Sequence, residues 1–193
     1  MNSDDEKKSL IEQYIELSKS SLIKVQYSCG GISTGIDETD YFPIFPEASV
    51  EKNIFYKIAI DEDMESVVEL LKKNNLPVDD LNTGYRTFIV ANLNGRIIGC
   101  VALETYNDSG LLRSLVVENN FRSKGIAHKL MAEVEAWTNG LNNLYLLTTT
   151  ASGFFLKIGW KNIERSSVPE SIALSSEFAT VCPSTAICMT KTV

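Results

Sequence analysis

No apolar stretch of the sequence approaches the roughly 18 residues that a membrane-spanning helix needs. The opening, MNSDDEKKSL, also lacks the apolar core of a secretory signal, so a cytoplasmic chain with no membrane partner is expected. Cysteine is scarce. Cys29, Cys100, Cys182 and Cys188 form no CxxC pair, which argues against a disulfide framework and against a zinc site, and reduced thiols are the expectation. Positive charge is in deficit as well: 18 Lys and Arg stand against 25 Asp and Glu, a net charge of -7. That balance excludes a nucleic-acid partner or an anionic surface held by bulk attraction. Any phosphorylated ligand therefore needs a local device.

What is present is ordinary globular material. The chain has 193 residues, 44% hydrophobic and 22% charged, enough for one core-forming domain with an appendage. Residues 1–50 have their own texture, so we divide the chain into an N-terminal extension, 1–50, and a main domain, 51–193. Leu10, Ile11, Tyr14 and Ile15 share a helical face, and Ile23, Val25 and Tyr27 alternate as in a short strand. Gly30, Gly31 and Gly35 follow without the Gly-Lys-Ser or Gly-Lys-Thr of a phosphate loop, and Pro43 and Pro46 mark a linker or aromatic arm.

From residue 55 onward strands and helices alternate. The stretch 55–60 reads as a strand, with Asp61 as the N-cap of a helix whose buried stripe is Met64, Val67, Val68 and Leu71. Residues 86–92 and 96–106 read as strands joined at Asn94-Gly95, a strong hairpin signal. Residues 111–117 form an apolar strand with a single charge, Arg113. A helix over 125–139 follows, facing inward with Ile126, Leu130, Val134 and Trp137. A strand at 144–149, a short helix at 153–158 and a last strand at 186–190 complete a mixed α/β sheet, with antiparallel hairpins first and a βαβ unit after.

The junction between residues 117 and 125 is the most informative. It reads Val117-Glu-Asn-Asn-Phe-Arg122-Ser123-Lys124-Gly125-Ile126-Ala127, a strand, a short loop and a helix N-terminus. Unpaired first-turn amides and the helix dipole make such a junction an anion site. Arg122 and Lys124 supply the positive charge that the chain as a whole lacks. Here the sequence resembles the GCN5-related N-acetyltransferase (GNAT) superfamily, whose acetyl-CoA motif is R/Q-x-x-G-x-G/A in this context. FFLKIGW, from Phe154 to Trp160, is similar to that family's aromatic turn. LLRSLVV, YLLTTTASGFF and the tail EFATVCPSTAICM together resemble the arsenic-resistance N-acetyltransferases, a group similar to the acetyltransferase domain of N-acetylglutamate synthases.

The resemblance implies a GNAT fold, a mixed, mostly antiparallel sheet flanked by helices, extended at the N-terminus. It implies acetyl transfer from acetyl-CoA, with no metal, to the α-amino group of a glutamate-like amino acid, which for the arsenic-resistance group is an arsenical such as arsinothricin. It also implies that the main chain of Leu115, Val116 and Val117 pairs with the pantetheine arm, as a sheet edge pairs with a peptide. The pyrophosphate then falls to Arg122, Ser123, Lys124, Gly125, Ile126 and Ala127, with Phe155 against the co-substrate.

Arg113 suits the α-carboxylate of an acceptor held bidentately, and an internal salt bridge is the alternative. Glu104 is the candidate base, beside the alternative of an ordinary surface glutamate. Many members of the superfamily have a tyrosine acid where this chain has Phe155, so that mechanism does not transfer. Thr148 is the candidate hydroxyl at the leaving sulfur or a water, with Thr149 at the substrate. His128 is expected at the surface or in packing, and Cys182 and Cys188, despite the affinity of thiolates for soft centres, match no site spacing. A monomer or homodimer is expected, with a non-catalytic CoA-binding module as the rival reading.

Overall fold

The computed structural model describes residues 53–81 and 86–193, within a unit spanning Asn53–Val193. The helix, strand, glycine loop and aromatic arm expected in 1–50 lie outside the described residues.

The hairpin builds the first half of the sheet. Strands β2 (Arg86–Leu93) and β3 (Arg96–Tyr106) turn at Asn94 and Gly95, at φ 52° and 87°, the left-handed pair a two-residue hairpin requires. Strand β1 (Ile54–Ile58) pairs antiparallel with β2, and β4 (Ser109–Val117) with β3. β4 begins at Ser109 rather than Leu111, because Asn107, at φ 54°, closes the turn early. The helix α1 (Met64–Lys73) fills the space between β1 and β2 in the chain. Its expected N-cap at Asp61 gives way to Asp63, whose carboxylate accepts the Ile60 amide at 3.0 Å and the Lys57 ammonium at 2.6 Å. Val67, Leu70 and Leu71 are its buried residues.

The second half comprises α2 (Ile126–Ala136), β5 (Asn143–Thr148), α3 (Ser152–Lys157), β6 (Lys161–Ile163), α4 (Glu170–Ala173), a π-helical turn at Glu177–Val181, and β7 (Ile187–Thr192). The order across the sheet is β1-β2-β3-β4-β5-β7-β6, and only β4 and β5 run parallel. The expected mixed, mostly antiparallel sheet is therefore present. β6, α4 and the π-turn were not anticipated.

Both faces of the sheet are covered. On one, α2, α3 and the turn after α3 pack Leu130, Met131, Val134, Phe155 and Trp160 over Ile89, Ile98 and Leu112. On the other, α1 covers Phe88, Val90, Cys100 and Ala102, while α4 and the π-turn cover Leu111, Tyr145 and Cys188 with Ile172 and Phe178. Each such aliphatic side chain, fully buried, contributes about 1.5–3 kcal/mol. Strand alternation puts Arg86, two residues before Phe88, and Glu104, two after Ala102, on this same face. Arg113, opposite Ala102, joins them. A buried ionic strip therefore separates the two apolar clusters.

Candidate active site

β4 and β5 meet only at their starts, in the pairs Ser109↔Asn143, Gly110↔Leu144 and Leu111↔Tyr145. Gly110 allows that contact, since a Cβ there would lie 2.5 Å from Leu144 Cδ2. Farther along, Ser114 sits at φ 57°, and Ser114 and Leu115 together face Val101 across β3. This is a β-bulge, which bends and twists a strand. It turns Leu115, Val116 and Val117 away from β5. The edge they present has no strand partner among the described residues, which is what a main-chain-pairing ligand needs.

The splay opens into a cavity of about 590 Å³. Of the residues expected to hold the co-substrate, all but Lys124 and Phe155 line it. Its far wall is Thr150, Ala151 and Phe154, and Asn74 and Leu76 contribute from the end of α1.

The loop into α2 is shaped by backbone. Ser123 at φ 62° and Gly125 at φ 78° turn the chain into the helix, and the first helical bond there runs from the Lys129 amide to Gly125 O at 3.0 Å. The earlier amides of α2 therefore have no acceptor within the helix, and the residues that carry them, Ile126, Ala127 and His128, line the cavity. A Cβ at Gly125 would meet no protein atom within 4 Å, so only its left-handed backbone, and whatever fills the cavity, calls for glycine. Arg122 braces the loop: Nε donates to Val117 O at 3.0 Å and Nη2 to Asn74 Oδ1 at 2.8 Å. Lys124 stands over the Phe121 ring, 5.4 Å from its centroid, outside the cavity lining.

Thr148 is buried at the end of β5, outside the cavity lining, and its Oγ1 accepts the amide of Ala151, which does line the cavity, at 3.0 Å. The hydroxyl proton remains available to a third group. Thr149 is exposed at the bend, and Thr150 rather than Thr149 faces the cavity. The aromatic pair divides differently from expectation. Phe155, 4% exposed, is a core residue packed edge-on against Trp160, whereas Phe154 lines the cavity. Helical geometry explains the swap, because adjacent residues on α3 face about 100° apart. His128, exposed and on the cavity wall, meets the Phe154 ring edge-on at 5.0 Å.

The ionic strip lies on the opposite face, where β5 leaves β4. Arg113, 5% exposed, donates Nη1 to Asp80 Oδ2 at 2.8 Å and Nη2 to Asp80 Oδ1 at 3.0 Å, an end-on bidentate pair. Nη1 also reaches Glu104 Oε1 at 3.0 Å, and Nη2 lies 2.9 Å from Glu177 Oε2. Arg113 Nε is buried without a hydrogen-bond partner. Glu104 Oε1 takes a second guanidinium, Arg86 Nε, and Oε2 accepts the Tyr106 hydroxyl at 2.7 Å.

With both oxygens so engaged, Glu104 is a counterion that fixes Arg113, and its geometry does not suit the expected role of free base. Arg113 is correspondingly in the internal salt-bridge arrangement that the sequence left open beside the substrate reading. Burial alone pushes the Asp80 carboxyl up, but hydrogen bonds from Arg113 and Ser176 and the two guanidiniums outweigh it and hold that carboxyl below its usual range. At Glu177 burial prevails over Arg113, and the neighbouring Asp80 and Glu104 carboxylates add to the rise. Burial, then donation to Glu104, pushes the Tyr106 hydroxyl up to about 12.

Sequence reasoning missed Asp80, Arg86, Ser176 and Glu177. Nothing local signalled them, since they meet only through tertiary folding. Cys188 packs under Leu111 and Tyr145, and burial pushes its thiol up to about 11, so it is a packing residue.

Residues 84–162 match the family model described as the acetyltransferase (GNAT) domain. Over 98 residues the chain is 38% identical to an uncharacterised N-acetyltransferase of Chlorobaculum tepidum, a stretch covering 49% of this chain and 63% of that protein. The chain thus spans less than two thirds of that relative's length. Among solved structures, the N-acetylglutamate synthase of Neisseria gonorrhoeae, complexed with coenzyme A and N-acetyl-glutamate, matches with a TM-score of 0.60 at 18% identity, over 72% of this chain and 35% of that one. Rv2747 from Mycobacterium tuberculosis, also solved with CoA, matches with a TM-score of 0.59 at 19% identity, over 72% of this chain and 99% of that one. At those identities the likeness shows the fold. The match of residues 84–162 to the acetyltransferase (GNAT) domain model and the fold shared with these two structures agree with the mixed, mostly antiparallel GNAT fold that the sequence resemblance implied.

Proposed function

We propose that the protein is an acetyl-CoA-dependent N-acetyltransferase that acetylates the α-amino group of a small, glutamate-like amino acid. The observation that carries this reading is the bulged, unpaired edge of β4 leading straight into the backbone-lined anion loop at 122–127. A pyrophosphate seats on the first amides of α2, with Arg122 and Ser123 beside it. The pantetheine arm then pairs with the main chain of Leu115, Val116 and Val117. From Val117 back to Arg113 the strand spans about 13 Å at roughly 3.3 Å per residue, so an arm lying along it carries the thioester to the level of the ionic strip.

There the amine nitrogen, having lost its proton to water, attacks the thioester carbonyl. The C–N bond forms, the C–S bond breaks, the thiolate leaves, and the nitrogen releases its second proton to water or to that thiolate. Thr148 is well disposed to help, because the Ala151 amide fixes its oxygen and leaves its proton for the departing sulfur or the oxyanion. Arg113 holds the acceptor carboxylate, and Glu104 acts by holding Arg113.

The sequence resemblance to the arsenic-resistance N-acetyltransferases supports an arsenical such as arsinothricin as acceptor, in a cytoplasmic setting. Glutamate itself is the second reading, supported by the N-acetyl-glutamate bound in the Neisseria neighbour. Thiol release from acetyl-CoA, followed with a panel of amino acids that includes both, tests the proposal. Turnover with an acidic amino acid is expected. CoA binding by calorimetry without turnover on any amine leaves a CoA-binding module instead.

A further inference from the structure

The strip is unbalanced. Asp80, Glu104 and Glu177 present three carboxylates to the two guanidiniums of Arg86 and Arg113, all with side chains 13% exposed or less. One negative charge is in surplus where surplus charge is costly.

The carboxylates are not equally held. Asp80 is chelated by Arg113 and takes the Ser176 hydroxyl at 2.6 Å, and Glu104 takes both guanidiniums and Tyr106. Glu177 has one guanidinium nitrogen, Nη2, and the Cys182 thiol. That nitrogen belongs to the Nε–Nη2 edge, the side of the guanidinium fork that carboxylates take with two parallel bonds. Glu177 occupies one prong of this edge, and the other, Nε, is the buried donor with no partner.

The backbone around Glu177 is anchored independently. Phe178 is buried, and Arg165 donates to the carbonyls of Phe178 and Pro183 at 2.5 and 3.0 Å. The Glu177 side chain can therefore swing without the segment opening. It also begins the π-helical turn, a local insertion found frequently at functional sites.

We propose that Glu177 is a built-in competitor for the acceptor's carboxylate: it occupies one prong of the Arg113 Nε–Nη2 edge, and an acceptor docks by displacing it and taking both. This rests on the reading of Arg113 as the acceptor's clamp. The device works as a specificity filter. A ligand with a bidentate anion exchanges one guanidinium contact for two at unchanged net charge, whereas a neutral amine offers nothing in exchange and leaves the edge closed.

Glu177→Gln is the test, because it keeps the shape and balances the strip. Kinetics with the amino-acid substrate, and calorimetry with N-acetylglutamate as a probe that carries no amine, are compared with wild type. The expected result is a fall of about tenfold in the amino-acid KM and in the N-acetylglutamate Kd, the scale of one charge-assisted hydrogen bond, with the KM for acetyl-CoA unmoved and the melting temperature not lowered. Unchanged or weaker binding, or a lowered melting temperature without tightening, overturns the inference and leaves Glu177 a structural counterion. Should that variant fold poorly, Glu177→Asp, which retracts the carboxylate while keeping its charge, is expected to tighten the probe partially, and no tightening overturns the inference equally. If no amino acid is turned over while Glu177→Gln still tightens the probe, the catalytic reading fails and this one stands. If Arg113→Lys leaves probe binding intact, the clamp fails and the competitor fails with it.

Discussion

The two ends of the splayed strand offer charge-binding groups by opposite means. At the Val117 end, the loop at 122–127 does so with main chain, using the free amides of α2 and a left-handed Gly125, while Lys124 stands aside over Phe121. At the Arg113 end, the charged groups are side chains drawn from β2, β3, β4, the segment after α1 and the π-turn. The backbone site is local and should tolerate the loss of any one side chain. The ionic strip is a network in which each member holds the others, and it should not.

The largest effect belongs to Arg113→Ala, which leaves Asp80, Glu104 and Glu177 facing Arg86 alone. Urea denaturation should show a loss of about 3–5 kcal/mol, the usual cost of removing one partner from a buried ionic group. A loss below about 1 kcal/mol would mean that the strip is far wetter than its geometry implies.

Gly125→Ala comes second. It costs about 1–2 kcal/mol of stability through its positive φ, and calorimetry should show CoA affinity falling about tenfold or more, because the added methyl points into space only the ligand would occupy. Unchanged affinity would move the pyrophosphate away from this turn.

The third is a pH dependence. Burial holds the Glu177 carboxyl above its usual range, so its contribution to stability is fully present below the ordinary carboxylate range and is lost as pH rises through the raised value. Asp80 has the opposite sign. Burial raises its carboxyl but Arg113 and Ser176 prevail and lower it, so its contribution is present above the ordinary range and is lost as pH falls through the lowered value. Thermal melts should therefore peak near the ordinary carboxylate range and decline as pH rises through the raised Glu177 value, and Glu177→Gln should remove the decline while keeping the acid limb. A variant with the wild-type slope would assign it to other groups.

The smallest effect is Lys124→Ala. An exposed cation off the cavity wall should weaken CoA binding by less than about 1 kcal/mol. A larger loss would shift the work at this end from backbone to side chain.

The same contrast explains what could be read in advance. The strands, the Asn94-Gly95 hairpin and the anion loop were legible because period-two alternation, turn chemistry and helix-start signals are written in adjacent residues. Arg113 stood out as one charge in an apolar strand, but the carboxylates that surround it could not be found. Asp80 and Glu177 lie in irregular segments with no periodicity, and Arg86 and Glu104 came together only once β2 and β3 were in register. Phe155 was misassigned for a related reason: the motif fixed the aromatic pair, whereas the rotation of a short helix decided which ring turned to the cavity. The bulge at Ser114, which makes the splay, left no mark that a serine in an apolar strand could carry.

The division of labour along β4 is tested most directly by two-substrate kinetics on Gly125→Ala and Arg113→Lys side by side. Arg113→Lys keeps the charge and loses the fork. The expected result is a crossed pattern: Gly125→Ala raises the KM for acetyl-CoA and leaves that for the amino acid, and Arg113→Lys does the reverse. Both variants raising the same KM, or each raising both equally, would contradict it.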